Sequence, residues 1–199
     1  EQTDVKKDQV EDCAQMVKFD YFNQASWGTY DVFNLSIGQG DNNYTPIQLA
    51  NYTATLANHG KRNKVSIVYG VEGEGRTVKP AAKDINISEE NRKAVIKGMR
   101  RVCLSGTLSS ALKNYPVEVA GKTGTAQESK TRGNHAFFIS FAPFEAPQVA
   151  VTVNIPFGYS SSNAASVAKE IYKLYFGQVT LDDVLKSTAQ KSTDVRIGD

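Results

Sequence analysis

The hydrophobic and polar positions along the chain follow helical and strand periods in turn, which predicts a mixed α and β protein. Residues 5–22 carry apolar or small side chains at an approximately helical spacing. A second helix is predicted over residues 45–58, because Thr at the N-cap, Pro46 at the first helical position and Gln48 at the third form a capping box. Gly60 then ends that helix as a left-handed cap.

The middle of the chain predicts a hairpin and a further helix. Residues 64–69 alternate between apolar and polar side chains and predict a strand, the glycine-rich residues 70–75 predict a turn, and residues 76–79 predict the partner strand. A helix begins after Ser88 with acidic residues in its first turn. The arginine pair at residues 100–101 near its end suits the helix dipole.

The last third of the chain predicts three consecutive antiparallel strands over residues 117–127, 135–142 and 148–155, joined by hairpin-length loops. A helix over residues 163–176 follows, and a polar tail at residues 178–199 is predicted as a peripheral helix followed by disorder. The helix face expected to pack on the sheet comprises Ala164, Val167, Ala168, Ile171 and Leu174 or Tyr175. The predicted fold class is α/β of the α+β kind, an antiparallel sheet flanked by helices.

Composition narrows the function classes. The 199 residues, of which 40% are hydrophobic, are enough to bury a sizeable core, and a formal net charge of +2 argues against nucleic acid as a partner. The chain has no apolar run long enough to span a membrane and no signal peptide at its start. Cys13 and Cys103 lack metal-type spacing and are predicted as free thiols, and Asp12 beside Cys13 joins a metal site only if ligands come from elsewhere.

One segment carries candidate chemistry. Residues 119–127 place Lys122, Thr123 and Gly124 inside a β-branched run that predicts an edge strand. A strand edge offers unpaired N–H and C=O groups, to which an extended peptide can add as one more strand. Gly124 lacks a Cβ and lets a ligand backbone come close. The tripeptide alone is a weak signal, so its neighbours decide its meaning.

The neighbours of this tripeptide are similar in order and spacing to the C-terminal half of class B penicillin-binding proteins, the monofunctional peptidoglycan transpeptidases. The likeness extends from about Trp27 to about Phe176 and is closest to the elongation-type or sporulation-type enzymes of Gram-positive bacteria. The segments that carry it are Ser36-Ile37-Gly38-Gln39-Gly40, residues 44–52 running to Ala57-Asn58-His59-Gly60, Asn134-His135-Ala136-Phe137-Phe138, and Ser140-Phe141-Ala142-Pro143.

This resemblance implies a penicillin-binding-protein or serine β-lactamase-like fold and an acyl-enzyme mechanism on a serine. The implied partners are a stem peptide ending in D-Ala-D-Ala and the β-lactams that imitate it, and no cofactor is implied. Lys122 would bring positive charge to the nucleophile and to the substrate carboxylate. Thr123 and Thr125 would donate hydroxyl hydrogen bonds to that carboxylate, with Gly124 and Gln127 on the same edge. The backbone N–H of Thr125 would be one of two oxyanion donors.

Two motifs that the family pattern requires have no credible place in the chain. The Ser-x-x-Lys string at residues 110–113 lies nine residues before Lys122 and leaves no room for a helical subdomain, and the string at residues 166–169 falls in the C-terminal helix. Ser161-Ser162-Asn163 is predicted as the turn and N-cap of that helix. We therefore expect residues 1–177 to be the C-terminal part of a transpeptidase domain whose nucleophile lies on a missing segment or chain.

The resemblance further implies a location on the extracytoplasmic face of the bacterial cytoplasmic membrane, anchored through a missing N-terminal segment, and a membrane glycosyltransferase partner. Two alternatives stay open at this stage. One is a non-catalytic or β-lactam-sensing penicillin-binding module, and the other is a D,D-carboxypeptidase or β-lactamase, which needs a deacylating base. His135 and His59 are predicted to be structural, His59 as part of a helix cap.

Overall fold

The computed structural model describes residues 28–40, 44–67, 70–71, 76–77, 81–128 and 130–191. The chain divides into two compact units, residues 1–43 and 44–199. The first unit contains helix α1 (Thr29–Ser36), followed by Gly38 and Gly40 with φ of +80° and +70°. These left-handed values are ones that glycine adopts without steric cost. The helix predicted over residues 5–22, and with it Asp12 and Cys13, lies outside the described residues.

The second unit has the mixed α and β order that the sequence predicts, with antiparallel strand pairs throughout. Its elements are α2 (Pro46–Ala57), β1 (Lys61–Asn63), β2 (Gly70–Val71), β3 (Arg76–Thr77), β4 (Ala82–Asp84), α3 (Glu89–Leu104), α4 (Ser109–Leu112), β5 (Ala120–Ala126), β6 (His135–Ala142), β7 (Val149–Ile155), α5 (Ser161–Tyr175) and α6 (Leu181–Lys191). The predicted α+β class is confirmed. The tail contains the predicted helix, α6, and residues 192–199 lie outside the described part.

Strands β5, β6 and β7 form the predicted antiparallel meander, with β6 in the middle. The register pairs Lys122 with Ile139 and Ala126 with His135. Helix α5 packs on one face of the sheet, and α2 and α3 pack on the other. The first strand starts at Ala120, three residues later than predicted, so the two outer strands of the sheet are equal in length.

The face of the sheet under α5 is a closely packed core. Tyr172 is fully buried, and its hydroxyl donates to Ser140 Oγ at 2.8 Å, which in turn donates to the Val151 carbonyl at 3.3 Å. Because a buried hydroxyl without a partner is costly, this chain of bonds fixes which side of α5 faces the sheet. The small residues Ala164 and Ala168 let the helix come close.

This arrangement corrects the predicted face of α5. Ala164 and Ala168 are buried as expected, but Val167, Ile171 and Leu174 are 44%, 41% and 40% exposed. Tyr175 is exposed as well. The hydrophobic pattern was misleading because the anchoring side chain of the helix is Tyr172, an aromatic residue with a polar end that finds its partner in the sheet.

Helix α2 begins as the sequence predicts. Thr45 Oγ1 accepts from the Gln48 N–H at 3.3 Å, and the Thr45 N–H donates to Gln48 Oε1 at 2.8 Å, which completes the capping box. Gly60 follows the helix with φ of +80°. His59, between the C-cap residue Asn58 and Gly60, has φ of +51°. The Leu56 carbonyl accepts from the buried Arg92 guanidinium at 3.0 Å.

The strand predicted over residues 64–69 is wrong. Residues 64–67 form no strand, and residues 68–69 lie outside the described part. On one side of this segment β1 pairs with β4, and on the other β2 pairs with β3. Residues 76–77 thus belong to a strand as predicted, but their partner is Gly70–Val71, which the sequence predicts as turn. Val65 and Ile67 are exposed, Ile67 at 91%, so the alternating pattern has no core among the described residues to bury it.

The start of α3 contains an ion pair, between Glu89 and Arg92, whose contribution to stability depends on pH. Glu89 accepts from Arg92 Nε and Nη2, both at 2.7 Å, and this hydrogen bonding lowers the pKa of the Glu89 carboxyl from 4.5 to about 2. A folded-state pKa below the unfolded value adds stability above the unfolded pKa, and that stability is lost as the pH falls from 4.5 towards 2. We expect Glu89→Gln to flatten the acid limb of the unfolding free energy, measured by denaturant titration between about pH 5 and about pH 3.

Glu90→Gln is the matched control, since Glu90 lies in the same helical turn and its removal leaves the bonds between Glu89 and Arg92 in place. The account of this pair is wrong if Glu89→Gln and the unaltered chain lose stability in parallel on acidification.

Candidate functional site

The outer edge of β5 is the feature on which the site depends. Within the described part of the chain β5 pairs only with β6, so it is an edge strand, as predicted. Successive residues of an antiparallel strand direct their N–H and C=O groups alternately towards the partner strand and away from it. The Val119 carbonyl accepts from Arg100 on the side away from β6. The backbone groups of Thr123 and Thr125 therefore also point away from β6.

Helix α3 covers the beginning of this edge. Arg100 Nη1 donates to the Val119 carbonyl at 3.2 Å, and its Nη2 donates to Glu118 at 2.7 Å. The Gly121 N–H bonds to the sulfur of Cys103. Arg100 is buried near the end of α3, and its bonds to Val119 and Glu118 are a role that the helix dipole alone does not predict. Arg100 lies on the apolar side of α3 between Ile96 and Cys103. A charged residue within an apolar stripe was the sequence signal that could have indicated its burial.

The Cys103 thiol is part of the scaffold and is not a nucleophile. It is fully buried and has no disulfide partner, which agrees with the predicted free thiol. Desolvation by burial raises its pKa to about 11, so the thiol is neutral at physiological pH. Arg100 and Cys103 thus occupy the outward-facing backbone groups of Val119 and Gly121. The open part of the edge thus begins at Thr123.

The predicted site residues do not lie on one face of the sheet. Lys122 and Gly124 lie on the face of Ile139 and Phe137, while Thr123 and Thr125 lie on the opposite face. Thr123 and Thr125 instead lie on the open edge with Gly124 between them, and Gln127 is exposed just beyond the strand. Lys122 Nζ donates to the Thr123 carbonyl at 2.8 Å, which keeps the ammonium group at that edge.

A phenyl ring of β6 packs against β5 and explains why residue 121 is a glycine, a residue that the sequence analysis did not single out. A Cβ on Gly121 would lie 2.4 Å from Cζ of the fully buried Phe138. The phenyl ring therefore lies directly over the Gly121 backbone and fixes the strand just before Lys122. A glycine inside a strand is the sequence signal of such an approach.

The residues of the two Ser-x-x-Lys strings lie in helices α4 and α5 or, for Lys113, at the C-cap of α4. Ser166 Oγ donates to the Ser162 carbonyl at 3.0 Å within α5. Lys169 Nζ donates to the Ala111 carbonyl at 2.9 Å, and so ties α5 to α4. Ser110 lies in the short helix α4 itself. Ser160, one residue earlier than predicted, is the N-cap of α5.

The described residues give no indication of metal or membrane chemistry. Across residues 28–40, 44–67 and the later described segments, no group of three His, Cys, Asp or Glu side chains is arranged to hold a metal ion. In the same segments no helix has the length and apolarity that a membrane crossing requires.

Comparison with known proteins decides the family. The sequence model of the penicillin-binding protein transpeptidase domain matches residues 5–173. The chain belongs to this family. Its members include the peptidoglycan D,D-transpeptidase MrdA of Haemophilus influenzae, which is 32% identical over 176 residues, a match that covers 76% of this chain and 27% of MrdA.

Solved structures of penicillin-binding proteins share this fold. The imipenem acyl-enzyme complex of penicillin-binding protein A from M. tuberculosis superimposes with a TM-score of 0.63 at 28% identity, covering 72% of this chain and 33% of that one. A chain from a peptidoglycan synthase complex that coordinates polymerization and crosslinking superimposes with a TM-score of 0.68 at 28% identity, covering 81% and 28%. The chain therefore spans about a quarter to a third of the length of these penicillin-binding proteins.

Proposed function

We propose that this chain supplies the substrate-binding strand of a peptidoglycan D,D-transpeptidase. The observation that carries the proposal is the open edge of β5, where the backbone groups of Thr123 and Thr125 point away from β6. A stem peptide ending in D-Ala-D-Ala has an extended backbone and can pair with these groups as an added strand. β-Lactams, which one structural relative holds as an imipenem acyl-enzyme, would use the same edge.

The charge at the edge suits the end of that substrate. Lys122 is exposed, and its ammonium group sits against the Thr123 carbonyl at 2.8 Å, within reach of an arriving carboxylate. The hydroxyls of Thr123 and Thr125 lie on the same strand and would donate to that carboxylate, which makes the binding charge-assisted. Gly124 between them presents no side chain to the ligand backbone, and Gln127 would border the same edge.

The reaction would proceed in two acyl-transfer steps. A serine hydroxyl attacks the carbonyl carbon of the penultimate D-Ala, and the oxyanion that forms accepts from the Thr125 N–H and a second donor. The C–N bond to the terminal D-Ala breaks, and that residue leaves as the protonated amine. An amine from a neighbouring stem peptide then attacks the serine ester and releases the cross-linked product. In a β-lactam the leaving nitrogen stays attached after ring opening, so the acyl-enzyme persists.

We place the serine nucleophile on a segment or chain outside these 199 residues. This placement is supported by Lys169, which is bonded to the Ala111 carbonyl and so is not free to activate Ser166. Phe137 and Ile139 on the Lys122 face are only half-buried, so that face can accept further protein. Such an enzyme would act on the extracytoplasmic face of the bacterial membrane beside a membrane glycosyltransferase, and a structural relative from a peptidoglycan synthase complex that coordinates polymerization and crosslinking supports this pairing.

Replacing Thr125 with proline tests the edge directly. Proline removes the N–H that points away from β6, and an edge position tolerates that loss because no ladder bond is broken. Gly124 before it imposes little steric restriction. In the transpeptidase that carries this chain, we expect acylation by fluorescent penicillin to slow roughly a hundredfold, as for the loss of one oxyanion donor.

Thr125→Val is the matched control, because it removes the hydroxyl and keeps the N–H. It is expected to acylate faster than Thr125→Pro, and circular dichroism should show both variants folded. If Thr125→Pro folds and acylates at the rate of the unaltered enzyme, the N–H of Thr125 is not an oxyanion donor and the proposed edge is in the wrong place.

A further inference from the structure

The loop that follows the proposed substrate strand contacts the turn after β7 at several points, and one imidazole connects that turn to the end of β5. His135 pairs with Ala126 at the last rung between β5 and β6, so it sits at the closed end of the loop over residues 127–134. His135 Nε2 lies 2.9 Å from Glu128 Oε2, two residues beyond the end of β5. Whatever holds Glu128 also limits the movement of Gln127 and of the strand end before it.

The second ring nitrogen of His135 defines the tautomer. The Phe157 N–H donates to Nδ1 at 3.3 Å, so Nδ1 carries no hydrogen. In the neutral ring the hydrogen must then be on Nε2, from which it is donated to the Glu128 carboxylate. The imidazole also packs on the Phe157 ring, with 4.9 Å between centroids, and its side chain is only 21% exposed. One mostly buried ring thus joins the end of β5 to the turn between β7 and α5.

That turn is held in a conformation that needs support. Phe157 and Tyr159 have φ of +54° and +61°, left-handed values that cost non-glycine residues about 1–3 kcal/mol each. The Tyr159 N–H donates to the Asn134 carbonyl at 2.9 Å. A Cβ on Gly133 would lie 3.0 Å from the Tyr159 ring, so the loop and the turn are in close contact. Strain of this kind persists where the surrounding contacts determine the geometry.

We propose that His135 is a positioning residue for the substrate edge, acting through Glu128 to hold Gln127 and the end of β5 in place. We call the contacts of His135 with Glu128 and Phe157 the histidine clasp. This inference rests on the proposed function of the edge and deepens it, because it assigns the order of the edge to a side chain that does not touch the ligand. In this proposal His135 has a structural role, as the sequence predicts, and that role is to hold the edge that binds the ligand.

Hydrogen exchange of the transpeptidase that carries this chain tests the clasp without reference to activity. His135→Ala is expected to speed exchange of the amides of residues 126–128 at least tenfold, while amides of β7 and α5 keep their rates. Glu128→Ala should give the same local increase at residues 126–128, and the double variant should add nothing further there, since both changes remove the bond between the imidazole and Glu128. Lys130→Ala in the same loop is the control and should leave these rates unchanged.

Acylation of the complete transpeptidase is the second readout. We expect His135→Ala to lower the second-order rate constant for penicillin about tenfold, and Glu128→Gln, which keeps an acceptor for the imidazole, to retain most of the rate. Unchanged exchange at residues 126–128 overturns the proposal, and so does exchange that rises throughout the sheet. Increased local exchange with unaltered acylation leaves the clasp real but shows that it does not position the substrate edge. If the unaltered enzyme fails to acylate, the proposed function fails, and the exchange result still decides whether the clasp orders the edge.

Discussion

Replacing Lys122 with alanine is expected to slow acylation by β-lactams roughly a thousandfold, the upper range for removing one partner of a close charge pair. The ammonium group of Lys122 lies at the open edge against the Thr123 carbonyl, where the ligand carboxylate would arrive. Because Lys122 is exposed, its removal leaves no cavity, and the melting temperature should change little. Stopped-flow or gel-based labelling with fluorescent penicillin in the transpeptidase that carries this chain gives the rate constant.

Lys83→Ala is the matched control for this change, since Lys83 is likewise an exposed lysine on a strand but belongs to the separate β1–β4 pair. It should acylate at the unaltered rate. A Lys122→Ala enzyme that acylates as fast as the Lys83→Ala enzyme would remove Lys122 from the site.

The largest effect on stability is expected from Gly121→Ala. The new methyl group would be built 2.4 Å from Cζ of Phe138, a ring that is fully buried and cannot turn aside without disturbing its neighbours. Overpacking of this kind costs about 3 kcal/mol of unfolding free energy, and since Gly121 immediately precedes Lys122, the strand that carries the site should shift as well. Urea unfolding followed by circular dichroism measures the loss.

Two further variants make this prediction specific. In a Phe138→Leu background the nearest obstacle is removed and the Ile139 carbonyl oxygen, 2.9 Å from the built Cβ, remains, so Gly121→Ala should cost less there, a coupling that a double-mutant cycle detects. Gly98→Ala places a methyl group in open space inside α3 and should raise stability by up to about 1 kcal/mol. Equal costs of Gly121→Ala in both backgrounds would show that the Phe138 ring is not the obstacle.

Local signals in the sequence were sufficient for much of this fold. The capping box at Thr45 and Gln48 is a contact between residues three apart, so propensity and spacing alone determine it. The meander of β5, β6 and β7 follows from alternation and short loops, and the edge position of Lys122 follows from the order of those strands. The candidate site could be located because its backbone geometry is a property of the strand itself.

Contacts between residues distant in the chain were beyond the reach of these signals. The face of α5 is set by the bond between Tyr172 and Ser140, thirty-two positions apart, and the hydrophobic pattern alone favoured Val167 and Ile171. The covering of β5 by Arg100 depends on a pair nineteen residues apart. The strand prediction for residues 64–69 was wrong because alternation produces a strand only where a sheet face exists to bury the apolar side chains.

Residue-resolved hydrogen exchange before and after acylation by penicillin tests most directly whether the backbone groups that β5 directs away from β6 bind the ligand. In the transpeptidase that carries this chain, we expect the amides of Thr123 and Thr125, which point away from β6, to become protected when the β-lactam is bound. The amides of Lys122 and Gly124, already directed towards β6, serve as the internal control and should not change. Acylation that leaves the Thr123 and Thr125 amides as exposed as before would contradict the assignment of this edge as the substrate strand.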